Sequence, residues 1–128
     1  MPEPSMRVLL VEDNQGLLDT LADVLWSAGM EVGKALDASE AKDRIAQSLY
    51  DVAVVDMILN GPSGVEVIRE LKRSSPTTRI IICTAYYDNE LLREAKSLGV
   101  DRTVQKPADP AALIALIRNL AIPAPDTD

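Results

Sequence analysis

Short aliphatic runs alternate along this chain with longer segments in which apolar side chains recur every third or fourth position. The runs Arg7–Val11, Glu31–Ala35, Val52–Val55, Arg79–Cys83 and Arg102–Gln105 are short and rich in β-branched or aliphatic residues, which predicts five strands. Between the first two, Gln15–Ala28 carries Leu18, Leu21 and Leu25 on one side, and Gly29 is suited to the left-handed cap that ends a helix. Further helices are predicted over Ala38–Leu49, over Gly64–Ser74 with Val65, Ile68 and Leu71 at helical spacing, and over Asn89–Leu98 before Gly99. The last helix should open with Asp109 as N-cap and Pro110 in the first helical position, where the donor that proline lacks is not needed, and run to Ala121.

Five strand–helix units in series predict one α/β domain, a doubly wound parallel sheet with helices on both faces. The ends differ in composition. Met1–Met6 (MPEPSM) and Ile122–Asp128 (IPAPDTD) are rich in proline and polar residues, so they read as a disordered N-terminal segment and a C-terminal tail or linker stub around a domain over 7–121.

In a doubly wound sheet, ligands gather at the carboxyl ends of the strands. The residues at or just past those ends are Glu12 and Asp13, then Asp56, then Thr84, then Lys106. Carboxylates brought within several ångströms of one another repel by on the order of 1 to 4 kcal/mol per close pair unless a cation sits among them. Lys106 balances part of that charge, and a hard divalent ion with oxygen ligands, Mg²⁺, would offset the rest. A carboxylate so held, flanked by a hydroxyl and an ammonium, is suited to accept a phosphoryl group, because the cations neutralise charge on the transferring oxygens. Asp56, at the end of an apolar strand where burial disfavours a charge, is the expected nucleophile.

The 128 residues, 47% of them hydrophobic, are enough to bury one core. A net charge of −7 argues against nucleic acid and against an anionic membrane face, so proteins or cations are the expected partners. The single cysteine, Cys83, leaves no internal disulfide, and neither a secretory leader nor a membrane-spanning run is legible, which makes a reducing cytoplasm the expected location. The chain contains no histidine, which removes Ser-His and Cys-His nucleophiles and an imidazole base.

Four stretches, LLVEDN, VVDMILNGPSGVEVI, IIICTAY and QKP, stand in this order between Arg7 and Leu120 and resemble the receiver domain of two-component response regulators. The resemblance implies a flavodoxin-like fold with strand order 2-1-3-4-5. It implies a signalling phosphoacceptor and not an enzyme, one that assists its own phosphotransfer and slow dephosphorylation, with Asp56 phosphorylated by a sensor histidine kinase or a histidine phosphotransfer protein. It further implies Asp13 and Asp56 as direct Mg²⁺ ligands, Glu12 as a ligand through water, and Ile58 as a ligand through its backbone carbonyl. Thr84 would hydrogen-bond the phosphoryl group and Lys106 would pair with it, and Lys106–Pro107 would be cis. The receiver would act on a downstream protein target or a fused output domain.

The sequence departs from the family at Thr103, where an aromatic residue commonly turns inward on activation; Tyr86 and Tyr87 are the aromatic residues nearest to Thr84 that could replace it. Asn60 and Pro62 alter the loop after Asp56, and the bulk of Ile58 and Tyr86 on the path of attacking water predicts slow self-hydrolysis. Three rival readings are weaker. An aspartate phosphatase of the haloacid-dehalogenase type wants a second aspartate where Ile58 stands. A flavin or nucleotide module needs a phosphate loop where Glu12 and Asp13 would repel phosphate. A receiver that no longer takes phosphate and serves as a scaffold has the complete acidic site against it.

Elsewhere, Cys83 reads as a small core residue and Trp26 as half-buried packing at the edge of the first helix. Leu113, Leu116, Ile117 and Leu120 supply the core face of the last helix, leaving Ile114, Ala115 and Ile122 as a second stripe through which the domain could form a homodimer.

Overall fold

A computed structural model describes residues 6–57, 59, 63–85 and 90–121, with Ala121 described through its backbone only. Its elements follow one another as β1 (Arg7–Val11), α1 (Gln15–Ser27), β2 (Glu31–Ala35), α2 (Ala38–Gln47), β3 (Val52–Val55), α3 (Gly64–Ser74), β4 (Arg79–Thr84), α4 (Glu90–Ser97), β5 (Arg102–Gln105) and α5 (Pro110–Ala121). All strand pairings are parallel and the sheet order is β2-β1-β3-β4-β5, as the sequence resemblance implies.

The aliphatic runs of β1, β3 and β4 are strands because both of their faces are covered. Leu9 and Val11, Ala53 and Val55, and Ile80 and Ile82 enter one core with residues of α2, α3 and α4. Val8 and Leu10, Val52 and Val54, and Ile81 and Cys83 enter the other, with residues of α1 and α5. Alternate side chains of a strand point to opposite faces, so a run buried on both sides is apolar at every position.

Polar residues fix where the helices begin. Asn14, Asp37 and Ser63 cap α1, α2 and α3, each through a side-chain oxygen that accepts a backbone N–H of the first turn. The carbonyl of Asp109 accepts from the N–H of Leu113 at 2.9 Å, as expected of the residue preceding α5. Gly29 and Gly99 follow α1 and α4 with φ of 90° and 91°, the left-handed conformation in which a β-carbon is costly.

Several boundaries and burials differ from expectation. β4 runs one residue further, to Thr84, which pairs in register with Gln105. α2 stops at Gln47 because Ser48 turns extended, and Leu49 is left exposed. Trp26 is 68% exposed and not half-buried, because Leu18, Ala22 and Leu25 already fill the contact of α1 with the sheet. Met6, expected in the N-terminal segment, packs partly against the α1–α5 core, and its carbonyl accepts from the N–H of Glu31 at 2.8 Å. On α5, Leu113 and Ile117 are buried, Leu116 and Leu120 lean on the same core, and so does Ile114, so the second stripe keeps only Ala115 outside it among the described residues. Residues 1–5 and 122–128, with Ile122, lie outside the described residues, as do Ile58, Asn60, Pro62, Tyr86 and Tyr87. Among the described residues, no helix is long and apolar enough to cross a membrane.

Candidate functional site

Parallel pairing continues one residue past the strands and sets the candidate residues side by side. The N–H of Glu12 bonds to the carbonyl of Ala35 and the N–H of Asp56 to that of Val11, both at 3.0 Å, while the N–H of Lys106 bonds to the carbonyl of Thr84 at 2.8 Å. These bonds tie the end of β1 to those of β2 and β3, and the end of β5 to that of β4. Residues far apart in the chain therefore reach one rim.

There, Glu12, Asp13 and Asp56 each place a carboxylate oxygen within 4.8 Å of the others. They line a cavity of about 270 Å³ together with Asn14, Leu17, Ala85 and Lys106. Glu12 is 5% exposed and Asp56 7%, so two of the three acids are nearly out of water. The Lys106 ammonium bridges them: Nζ donates to Oε1 of Glu12 and, at 2.9 Å, to Oδ2 of Asp56. The second oxygen of Glu12, Oε2, accepts from the main-chain N–H of Asn14 at 3.1 Å.

Burial holds the Glu12 carboxyl above its ordinary pKa range, and the nearby Asp56 carboxylate pushes the same way; the bonds from Lys106 and Asn14 pull it down without cancelling the effect. Burial opposes the charge on Lys106 as well, but its bonds to Glu12 and Asp56, and their charges, outweigh that and raise its pKa. One ammonium thus pairs with two of the three acids, and with Asp13 counted a formal surplus of two negative charges remains. An all-oxygen donor set with that surplus fits a hard divalent cation such as Mg²⁺, which binds through a few carboxylates and retains waters.

Thr84 ends β4 with a fully buried side chain, and the cavity wall on that strand is its neighbour Ala85. Its main-chain carbonyl, by accepting from the N–H of Lys106, links it to the acidic cup. The backbone carbonyl of Ile58, expected as a ligand, lies outside the described residues. Lys106–Pro107 is cis, as the resemblance implies. Cys83 is buried beneath the rim, and desolvation pushes its thiol up to about 11, in keeping with a core role.

Two residues here were missed by sequence reasoning. For Asn14 the available signal is an asparagine directly before a helical period, which marks a cap. The sequence pattern marks Gly64 only as the first residue of a helix. A β-carbon there would fall 2.2 Å from the Asp56 carbonyl oxygen and 3.0 Å from Cα of Met57, so the start of α3 presses on the backbone of the acceptor residue. The signal available was a glycine inside a helix start already capped by Ser63, where glycine is a poor helix former and so suggests a close approach.

Residues 8–118 match the family described as "Response regulator receiver domain". Chemotaxis protein CheY of Thermotoga maritima is 27% identical over 116 residues, which are 90% of this chain and 97% of that protein. The transcriptional regulatory protein CutR of Streptomyces coelicolor is 36% identical over 115 residues, but this chain spans only about half of it, 53%. Among solved structures, a response regulator of Burkholderia pseudomallei, crystallised with a phosphorylated aspartic acid, a calcium ion and citrate, superimposes with a TM-score of 0.83 at 27% identity, covering 91% of this chain and 69% of that one.

Proposed function

This chain belongs to the response regulator receiver domain family of two-component signalling, and from that premise we propose that Asp56 is its phosphoacceptor. The donor is a phosphohistidine on a sensor histidine kinase or a histidine phosphotransfer protein, since this chain has no histidine of its own. Asp13 and Asp56 would hold Mg²⁺ directly and Glu12 through water, with the main-chain carbonyl of Ile58 as a further ligand. The observation that carries the reading is the bridging of Glu12 and Asp56 by Lys106 inside a cup of three carboxylates.

In the transfer, an Asp56 carboxylate oxygen attacks phosphorus, the P–N bond to the donor histidine breaks, and the imidazole nitrogen keeps the electron pair. Bound Mg²⁺ supplies charge neutralisation at the phosphoryl oxygens. Lys106, held on Oδ2 of Asp56, keeps the acceptor oriented and is placed to pair with an incoming phosphoryl oxygen. Thr84 hydrogen-bonds the transferred group once it arrives and couples it to β5 through the Lys106 main chain. The phosphorylated aspartic acid and calcium ion in the Burkholderia pseudomallei relative support the same pair of roles here.

The donor reaches the cup over an apolar cavity of about 350 Å³ that adjoins it, lined by Leu17, Leu21, Cys83, Ala85, Lys106, Pro107 and Ala108. We assign the receiver to residues 7–121 and its work to the cytoplasm, with output through a protein target or an attached output domain. The last helix region is the proposed surface for a homodimer. Incubation with Mg²⁺ and a small acyl phosphodonor tests the central claim: a base-labile mass gain of one phosphoryl group is expected, absent in Asp56→Asn. A label that persists in Asp56→Asn, or that never forms in the parent chain, would overturn it.

A further inference from the structure

Both oxygens of Glu12 are held, and the two holders do different work. Oε1 meets the Lys106 ammonium, whereas Oε2 accepts from the main-chain N–H of Asn14 at 3.1 Å. That N–H faces Glu12 because Asn14 is the N-cap of α1, with extended backbone at φ −87° and ψ 109°. Its carboxamide oxygen accepts from the N–H of Leu17 at 3.0 Å, and its carbonyl accepts from Leu18 at 2.9 Å. The cap therefore fixes the peptide plane that presents the N–H.

We propose that Asn14 is a positioning residue for the acidic cup: by capping α1 it holds its own N–H on Glu12 and keeps that carboxylate from turning both oxygens onto Lys106. The inference rests on the reading of the cup as a Mg²⁺ and phosphoryl site. A buried carboxylate seeks every donor within reach, because each unmade bond leaves a desolvated oxygen uncompensated. Without the Asn14 N–H in place, Lys106 is the remaining donor that the structure shows on Glu12. Glu12 would then chelate the ammonium and draw it off Oδ2 of Asp56, where it now sits at 2.9 Å. The cup would lose the present orientation of two of its three carboxylates, those of Glu12 and Asp56.

A plain helix cap would affect stability alone, and the molecule contains a control for that. Asp37 caps α2 in the same manner, accepting from the N–H of Glu40 at 2.8 Å, and is not among the residues that line the cavity. The test compares Mg²⁺ affinity by isothermal titration calorimetry, and stability in urea, for the full chain and for Asn14→Ala, Asn14→Ser and Asp37→Ala. Loss of a group that orients a metal ligand weakens binding by about 10- to 100-fold, and here the N–H itself survives, so Asn14→Ala should weaken Mg²⁺ binding by roughly 3- to 10-fold. Asn14→Ser keeps a capping oxygen and should bind Mg²⁺ to within about twofold of the parent. Asp37→Ala should lose stability comparable to Asn14→Ala with unchanged Mg²⁺ affinity. Unchanged affinity in Asn14→Ala, or equal weakening in Asp37→Ala, overturns the inference while leaving the phosphoacceptor reading intact. A parent chain that binds no Mg²⁺ and takes no phosphoryl group removes that reading, and this one with it.

Discussion

Replacing Gly64 with alanine tests how rigidly the acceptor is held. The new methyl carbon would lie 2.2 Å from the carbonyl oxygen of Asp56, 3.0 Å from Cα of Met57 and 3.1 Å from the carbonyl carbon of Asp56. Even close C–H···O contacts keep carbon and oxygen about 3.3 Å apart, so roughly 1 Å must be made up. All three atoms belong to the main chain, in the turn between β3 and α3, and none can rotate away. Gly64 is not among the glycines at positive φ, so the substitution brings steric load without backbone strain. Overpacking costs about 1–3 kcal/mol, and a clash of this depth against main-chain atoms belongs at the upper end of that range; the better helix propensity of alanine returns about 0.5–1 kcal/mol, leaving a net loss of roughly 2 kcal/mol. Moving a reacting group by 1 Å can cost about 100-fold in rate, so labelling of Asp56 by an acyl phosphodonor should slow by up to that factor.

Urea denaturation at constant slope reads the first effect, and the time course of the base-labile phosphoryl label reads the second. Gly33→Ala is the comparison. Its β-carbon would also meet an atom at 2.2 Å, but that atom is the Tyr50 hydroxyl, at the end of a half-buried side chain that can swing aside. A loss under about 1 kcal/mol and an unchanged labelling rate are expected there. Should Gly64→Ala stay within about 0.5 kcal/mol of the parent and label at the parent rate, the contact does not hold the acceptor as described.

Three further outcomes are expected. Mg²⁺ at about a hundred times its dissociation constant should stabilise the chain by about 2.7 kcal/mol in thermal unfolding, and Asp13→Asn should abolish most of that gain; equal melting with Mg²⁺ and with EDTA would argue against a cation in the cup. Cys83, whose thiol burial pushes up from 9.0 to about 11, should resist thiol reagents near pH 8 in the native state and react fully in urea. Because its folded pKa is the higher one, its contribution to stability is complete below 9.0 and is lost as pH rises toward about 11, an alkaline loss that Cys83→Ala should reduce. Trp26, the single tryptophan and 68% exposed, should emit as a solvated indole, and Trp26→Ala should change stability by no more than about 0.5 kcal/mol; a blue-shifted emission would contradict the exposure.

The fold was legible in sequence because a strand buried on both faces must be apolar throughout, as Val52–Val55 and Arg79–Thr84 are apart from their ends. The acidic cup was legible for the converse reason: Asp56, directly after such a run, breaks the pattern at the place where a parallel sheet collects its ligands. Strand order followed from the family motifs. Their spacing alone does not say which strand lies beside which.

Tertiary structure decided what depends on contacts between distant segments. The periodicity of α1 places Trp26 at the margin of its apolar stripe, and only the sheet beneath, already filled by Leu18, Ala22 and Leu25, decides that the ring stays in water. The pressure of Gly64 on the Asp56 carbonyl arises where the chain folds back on itself, and no local pattern encodes a distance of 2.2 Å. Lys106 donates to the Glu12 carboxylate, 94 residues away in the chain, because parallel pairing brings the ends of β1, β3, β4 and β5 to one rim. Local sequence chose the side chains and the elements that carry them; the sheet, by bringing remote backbones into register, chose which of those side chains meet.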